Sequence, residues 1–412
     1  MKYIIILGDG MSDEPIASLG GKTPLAYAKT KTLDQLSKKS RLGLVDTIPA
    51  GMDPGSDTAN LSVLGFDPRK YYSGRSPLEA LNIGAPMEDG DIALRLNLVT
   101  ISETIEGNPA DIASMPFAER TIIDHSAGEI STEEAEILLE AVKSELASYL
   151  KEHLFTIYTG TSYRHCLIWQ KGKVLNFTPP HDVLGQKIEA HLPADSVFRT
   201  IMERSFKILK DHPVNINRKK NGKNPANSFW FWGAGTKPNL PLFKEKTGKK
   251  GIMISAVDLL KGIGIASGMK VANVPGANGT LHTNYAGKVD AACNALLNED
   301  YDFAYIHIEA PDEMSHQGDL ENKIKAIEYL DEKVISPVFE RLSESGEDFR
   351  LLIMPDHPTP LHLRTHTADS VPFLLYDSSV ILSHYSYYNE AECKAGGDYI
   401  EDGYKLIDEF LL

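Results

Sequence analysis

Short apolar runs that stop at glycine, proline or acid recur at both ends of the chain. Residues 3–7 are β-branched and apolar and end at Gly8-Asp9-Gly10. Residues 303–308 run into Glu309-Ala310-Pro311-Asp312, and 349–354 into Pro355-Asp356-His357. Residues 371–376 close the series. Continuous runs of this length predict strands buried on both faces. Helical spacing lies between them, over 32–40, 289–297 and 322–342. Strands alternating with helices predict an α/β fold: a mostly parallel sheet with helices on both faces.

The middle of the chain has a different grammar. Ser131-Thr132-Glu133-Glu134 opens a helix to about residue 151, with a hydroxyl to cap it and acids in its first turn. Strand patterns follow over 154–159, 166–171 and 173–176, then a helix over 194–211. The basic stretch 217–225 reads as a linker before Phe229-Trp230-Phe231-Trp232. The expectation is therefore a core of residues 1–105 and 226–412 interrupted by an inserted α+β domain, 106–225.

Composition narrows the function. The 412 residues carry 42 Lys+Arg against 57 Asp+Glu, a net charge of −15, which argues against a nucleic-acid partner. Three cysteines, far apart, predict neither disulfides nor a cysteine zinc site. The N-terminal apolar run is too short for a signal peptide or a membrane span, so a cytoplasmic protein without a membrane partner is expected.

The candidate chemistry sits where the runs stop. Asp9, Asp312 and Asp356 each follow a predicted strand, and open parallel sheets bind ligands beyond the carboxyl ends of their strands. Asp312 and His316 are spaced to share a helix face, His357 follows Asp356 directly, and His366 lies nine residues on. Three carboxylates with three imidazoles suit one or two divalent ions of the Mn²⁺ or Zn²⁺ type. Ser56, in Pro54-Gly55-Ser56-Asp57-Thr58-Ala59-Asn60, heads a helical stretch. It reads either as a helix cap or as a nucleophile whose phosphoryl group would rest on helix N-terminal amides. Gly21-Lys22-Thr23 lacks the first glycine of a phosphate-binding loop, and Gly262, Gly264 and Gly268 have the wrong spacing for a dinucleotide fingerprint.

Together, Asp9 in Gly-Asp-Gly-Met, Gly-Ser56-Asp-Thr-Ala-Asn, Asp312-x-x-x-His316, Asp356-His357 and His366-x-x-x-x-Val371-Pro372 resemble the alkaline phosphatase superfamily. The nearest branch is the archaeal-type 2,3-bisphosphoglycerate-independent phosphoglycerate mutases. The resemblance spans nearly the whole chain, including Gly21-Lys22-Thr23-Pro24-Leu25, Gly74-Arg75 and Ile130-Ser131-Thr132-Glu133-Glu134. It implies an alkaline phosphatase-like core with a substrate-holding cap, and a phosphoserine at Ser56. It also implies two divalent ions, Mn²⁺ foremost with Zn²⁺, Mg²⁺ or Co²⁺ as alternatives. One ion would be held by Asp9, Ser56, Asp356 and His357, the other by Asp312, His316 and His366. The expected substrate is a small phosphorylated metabolite, interconverted between 3-phosphoglycerate and 2-phosphoglycerate, with Arg75, Arg164, His165 and His125 as candidate contacts. One stretch departs from the archaeal pattern: Asp124-His125-Ser126-Ala127-Gly128-Glu129 stands where arginines are expected. That departure keeps open a homoserine kinase or a phosphohydrolase on the same metal and serine machinery, as proposed for bacterial relatives. A fold retained only for metal binding is the remaining alternative.

Overall fold

A computed structural model describes residues 1–103, 115–380, 382 and 387–412. Its strands are β1 Lys2–Gly8, β2 Ser40–Val45, β3 Ile92–Ile101, β4 Ile122–Asp124, β5 Phe155–Tyr158, β6 Arg164–Trp169, β7 Ser228–Thr236, β8 Gly251–Ile254, β9 Lys270–Val271, β10 Phe303–Ile308, β11 Phe349–Met354, β12 Val371–Asp377 and β13 Asp398–Ile400. They fall into two compact units, Met1–Tyr72 with Asn239–Leu412, and Ser73–Pro238.

The first unit is an eight-stranded sheet in the order β13-β2-β12-β11-β1-β10-β8-β9. All pairings are parallel except those of β12 with β11 and β2. Strand β1 is central because its side chains are apolar on both faces: Ile4, Ile5, Ile6 and Leu7 are all 0% exposed. The mostly parallel α/β core is thus as expected.

Two helices differ in extent. The stretch 322–342 is not one helix but Leu320–Leu330, a π turn Asp331–Ile335, and Ser336–Ser345. Pro337 explains the break, since it has no N–H for the carbonyl four residues back and its ring crowds that carbonyl. The turn has a use: buried Asp331 accepts hydrogen bonds from Thr32 N (3.0 Å) and Leu33 N (2.8 Å), starting the helix Lys31–Ser37. That helix ends before residue 40 because Ser40 already belongs to β2.

The second unit is a separate antiparallel sheet, with β3 paired to β4, β6 and β7, and β6 to β5. Helices Thr132–Glu145 and Ser196–Leu209 pack on it. Ser131 caps the first by accepting from Glu134 N. The unit is wider than the expected insertion, 106–225, because β3 and β7 pair along their length and bring residues 73–105 and 226–238 with them. The expected boundary at 105/106 lies outside the described residues. Residues 217–225 are not a linker. Helix Pro213–Lys220 takes up their first four, and Arg218 is buried, paired with Glu134 and donating to Asn224 O at 2.9 Å. Residues 173–176 form no strand. The three cysteines are buried and unbridged. No helix among the described residues is long and apolar enough to cross a membrane.

Candidate active site

The first unit gathers every residue expected to bind metal at the carboxyl ends of β1, β10 and β11. Asp9 follows β1, and its backbone N donates to Ile308 O (3.0 Å), fixing it beside β10. Gly10 turns the chain at φ +59°, where a Cβ would lie 2.5 Å from both Asp312 Oδ1 and Thr359 Oγ1. Only glycine fits that approach. Gly10 N donates to Asp356 Oδ1 (3.2 Å), linking two ligand loops directly.

Asp312 and His316 share the helix Ala310–Gln317, one turn apart, with His316 Nε2 3.1 Å from Asp312 Oδ2. His366 Nε2 stands 3.5 Å from Asp312 Oδ1 and 3.1 Å from His316 Nε2. Asp9, Asp312 and His357 form a second close group, and Asp9, His307 and Asp356 a third. Within each of the three, the candidate ligand atoms lie within 4.8 Å of one another.

The electrostatics call for cations. Burial, and then the charges of Asp356 and Asp312, push the Asp9 carboxyl well above its usual range. Asp9 Oδ1 is buried and accepts no hydrogen bond among the described residues. Burial would raise Asp312 as well, but hydrogen bonds from His316 and His366 and the nearby His357 hold it well below. Asp312 in turn raises His316 to about 9. Burial lowers His357. Oxygen and imidazole donors converging on an unsatisfied carboxylate suit Mn²⁺ or Zn²⁺.

Ser56 is the first residue of the helix Ser56–Val63 and is not its cap; Gly55 holds that position. Its Oγ lies 3.1 Å from His357 Nε2. Asn60, one turn on, donates to Ser56 O (2.8 Å) and Asp356 Oδ2 (2.9 Å), and accepts from buried Tyr305. The hydroxyl therefore faces the carboxylate–imidazole cluster from the N-terminus of its helix.

Sequence reasoning passed over several partners. His307 sits between two acids, 3.1 Å from Asp9 Oδ2 and 3.1 Å from Glu309 Oε1. Its Nε2 is not aligned with Asp9 for a hydrogen bond. Burial opposes its charge, yet Asp9 and Glu309 raise it to about 10. Glu309 is neutralised by buried Lys288 at 2.7 Å. The signal was a lone histidine inside an apolar strand. Thr359 donates to Asp312 Oδ1 (2.6 Å) and had no signal beyond its place two residues after His357.

The candidate substrate residues belong to the second unit. Arg75 Nε pairs with Glu79 Oε1 at 3.0 Å, and Arg95 Nη2 donates to the same oxygen at 2.7 Å. The Arg95 guanidinium lies 4.3 Å from the centre of the Trp232 ring, and Trp232 Nε1 donates to Asn97 Oδ1. The His125 ring stands against Tyr163 and His181, and His181 against Trp232. Arg164, opposite Asn97 in the register, is exposed and donates to Tyr163 OH (2.9 Å). One sheet face thus brings together Arg75, Arg164 and His125 with Arg95, His181 and Trp232. His165 points the other way, being paired with Leu96 of the core face. It is buried and accepts from Gly160 N (3.1 Å); burial, then Arg164, lowers it to about 3. His165 therefore lies on the opposite face of the sheet from Arg164, with its Nε2 buried and without a hydrogen-bond partner among the described residues. Glu129 adopts φ +49° in the turn after Asp124.

Comparison with known proteins agrees with this geometry. A family model for 2,3-bisphosphoglycerate-independent phosphoglycerate mutase matches residues 37–215. The 2,3-bisphosphoglycerate-independent phosphoglycerate mutase of Methanothrix thermoacetophila is 44% identical over 99% of this chain and 98% of its own. A probable enzyme of the same name from Geobacter sulfurreducens is 44% identical over the full length of both. Among solved structures, PH0037 protein from Pyrococcus horikoshii has a TM-score of 0.79 at 28% identity, covering 100% of this chain and 96% of its own. A cofactor-independent phosphoglycerate mutase from Thermoplasma acidophilum has 0.63 at 26%, covering 100% and 99%. With relatives this similar over their whole length, the chain belongs to the 2,3-bisphosphoglycerate-independent phosphoglycerate mutase family.

Proposed function

We propose that the protein interconverts 3-phosphoglycerate and 2-phosphoglycerate through a phosphoserine at Ser56. The observation that carries this is the Ser56 hydroxyl, uncommitted to capping, 3.1 Å from His357 and beside the carboxylate–imidazole cluster. Asp9, Asp356 and His357 with Ser56 would hold one divalent ion, and Asp312, His316 and His366 the other, Mn²⁺ being the favoured metal. Bound there, the ions supply charge neutralisation for in-line phosphoryl displacement and lower the serine pKa. Ser56 Oγ forms a bond to phosphorus as the bond from phosphorus to the glycerate oxygen breaks, and the serine proton passes to that departing oxygen. The other glycerate hydroxyl then takes the phosphoryl group from Ser56 and returns its proton to the serine oxygen. Helix N-terminal amides receive the phosphoryl oxygens meanwhile.

The second unit would act as the substrate-holding cap. Arg164 would grip the glycerate carboxylate or phosphate, and Glu79 holds Arg75 and Arg95 beside it on the same face of that unit. The stretch 124–129 lacks arginine, but Arg164 and Arg75 stand on the same face, so the shortage does not by itself single out homoserine as acceptor. The relatives' shared name also favours the mutase. The reaction belongs to cytoplasmic sugar metabolism.

Ser56→Ala should bind Mn²⁺ normally and lose at least ~10³-fold in turnover. A phosphopeptide containing Ser56 should be recoverable from quenched wild type. An alanine variant that still isomerises 3-phosphoglycerate would end this reading. Phosphohomoserine formed from homoserine and ATP without 2-phosphoglycerate would replace it.

A further inference from the structure

The first unit contains a second buried polar knot that touches no candidate ligand atom of the metals except through Thr359. Lys323, in the first turn of the helix Leu320–Leu330, is 0% exposed. Its Nζ donates to Asp13 Oδ2 (2.7 Å), Thr359 O (3.0 Å) and Ser12 O (3.4 Å). Asp13 and Ser12 belong to the loop that begins at Asp9; Thr359 belongs to the loop that begins at Asp356. The loops are stitched further by Thr359 N to Ser12 O (3.1 Å) and Leu361 N to Asp13 Oδ2 (3.2 Å). Behind them, half-buried Glu390 accepts from Ser12 Oγ (3.0 Å), Asp13 N (3.2 Å) and Thr23 Oγ1 (2.7 Å).

An ammonium and a carboxylate taken this far out of water are costly, and well-packed apolar residues of the same volume are often no less stable. Their value must lie in geometry. An ammonium with three acceptors, two of them carbonyls on different loops, fixes the distance between those loops as an apolar contact does not. We propose that Lys323, with Asp13, is a positioning residue that locks the β1 loop to the β11 loop and so sets the spacing of Asp9 against Asp356 and His357. This rests on those residues binding metal, as proposed above.

The test is the double variant Lys323→Met with Asp13→Asn, which removes both charges and leaves neither buried alone. Mn²⁺ affinity is measured by calorimetry on metal-free protein, and thermal unfolding is followed in chelator. The double variant should unfold close to wild type in chelator yet bind Mn²⁺ about 10- to 100-fold more weakly, the loss typical of supporting partners of metal ligands. Lys323→Arg, which keeps the charge but replaces the compact ammonium with a longer planar fork, should fold and lose affinity in the same direction. Should the double variant fail to fold, Lys323→Arg decides alone. Wild-type affinity in either folded variant would overturn the inference and leave the metal site intact. Wild type that binds no divalent ion would overturn both.

Discussion

At the scale of single residues, the centre depends on atoms that are absent as much as on those present. Gly10 combines a left-handed φ with a space that Asp312 and Thr359 already fill. Gly10→Ala should therefore act twice. The backbone term costs about 1–2 kcal/mol, read as a lower denaturation midpoint in chelator. The Cβ would also push Asp312 off its histidines, so Mn²⁺ affinity should fall at least ~10-fold. An alanine variant with unchanged Mn²⁺ binding would show that the loop can relax around the methyl group. What could be read from the chain at this scale was which acids and imidazoles the fold would gather, because each acid marks the end of an apolar run and a histidine follows two of them closely. What could not be read were the residues that aim them: Lys323 reaches Asp13 across 310 positions, and Tyr305 reaches Asn60 across 245. Such partners leave no local pattern, since either would be an ordinary residue of its own helix or strand.

At the scale of elements, strand alternation decides which side chains face the polar side of the second unit's sheet. Arg164 and His165 are neighbours in β6, so they cannot share a face. The period of two that the strand imposes puts Arg164 on the polar face and His165 on the core face. Buried His165 gives this element a measurable signature. Its pKa is about 3 in the folded chain against an ordinary 6.5. Below 6.5 the unfolded chain takes up a proton that the folded chain refuses. Its contribution is therefore complete above pH 6.5 and erodes as pH falls toward 3, at up to about 1.4 kcal/mol per pH unit. His165→Asn can keep the acceptor for Gly160 N without titrating. Denaturant unfolding between pH 7 and 4 should show a shallower acid loss for the variant than for wild type. Parallel pH profiles would mean that His165 accepts its proton without leaving the core.

At the scale of the molecule, the proposed division of metal and substrate chemistry follows the topology of the two units. The parallel sheet brings Asp9, Asp312 and Asp356 to one edge because β1, β10 and β11 are adjacent and run the same way. The antiparallel sheet has no such edge and instead offers a face, carrying Arg95, Arg164 and Trp232. Metal and substrate should then leave different footprints in amide hydrogen exchange. Mn²⁺ alone should slow exchange in the loops around Gly10, His357 and Thr359, whose amides bond the acids or their neighbours. The slowing follows from mass action: at a hundredfold excess over Kd, binding adds about 2.7 kcal/mol to the cost of opening those loops. It should leave β3, β6 and β7 unchanged. Adding 3-phosphoglycerate to the Mn²⁺ protein should then slow exchange near Arg95, Arg164 and Trp232. Equal protection of both units by Mn²⁺ alone would refute this division, since no proposed ligand of the metals comes from residues 73–238.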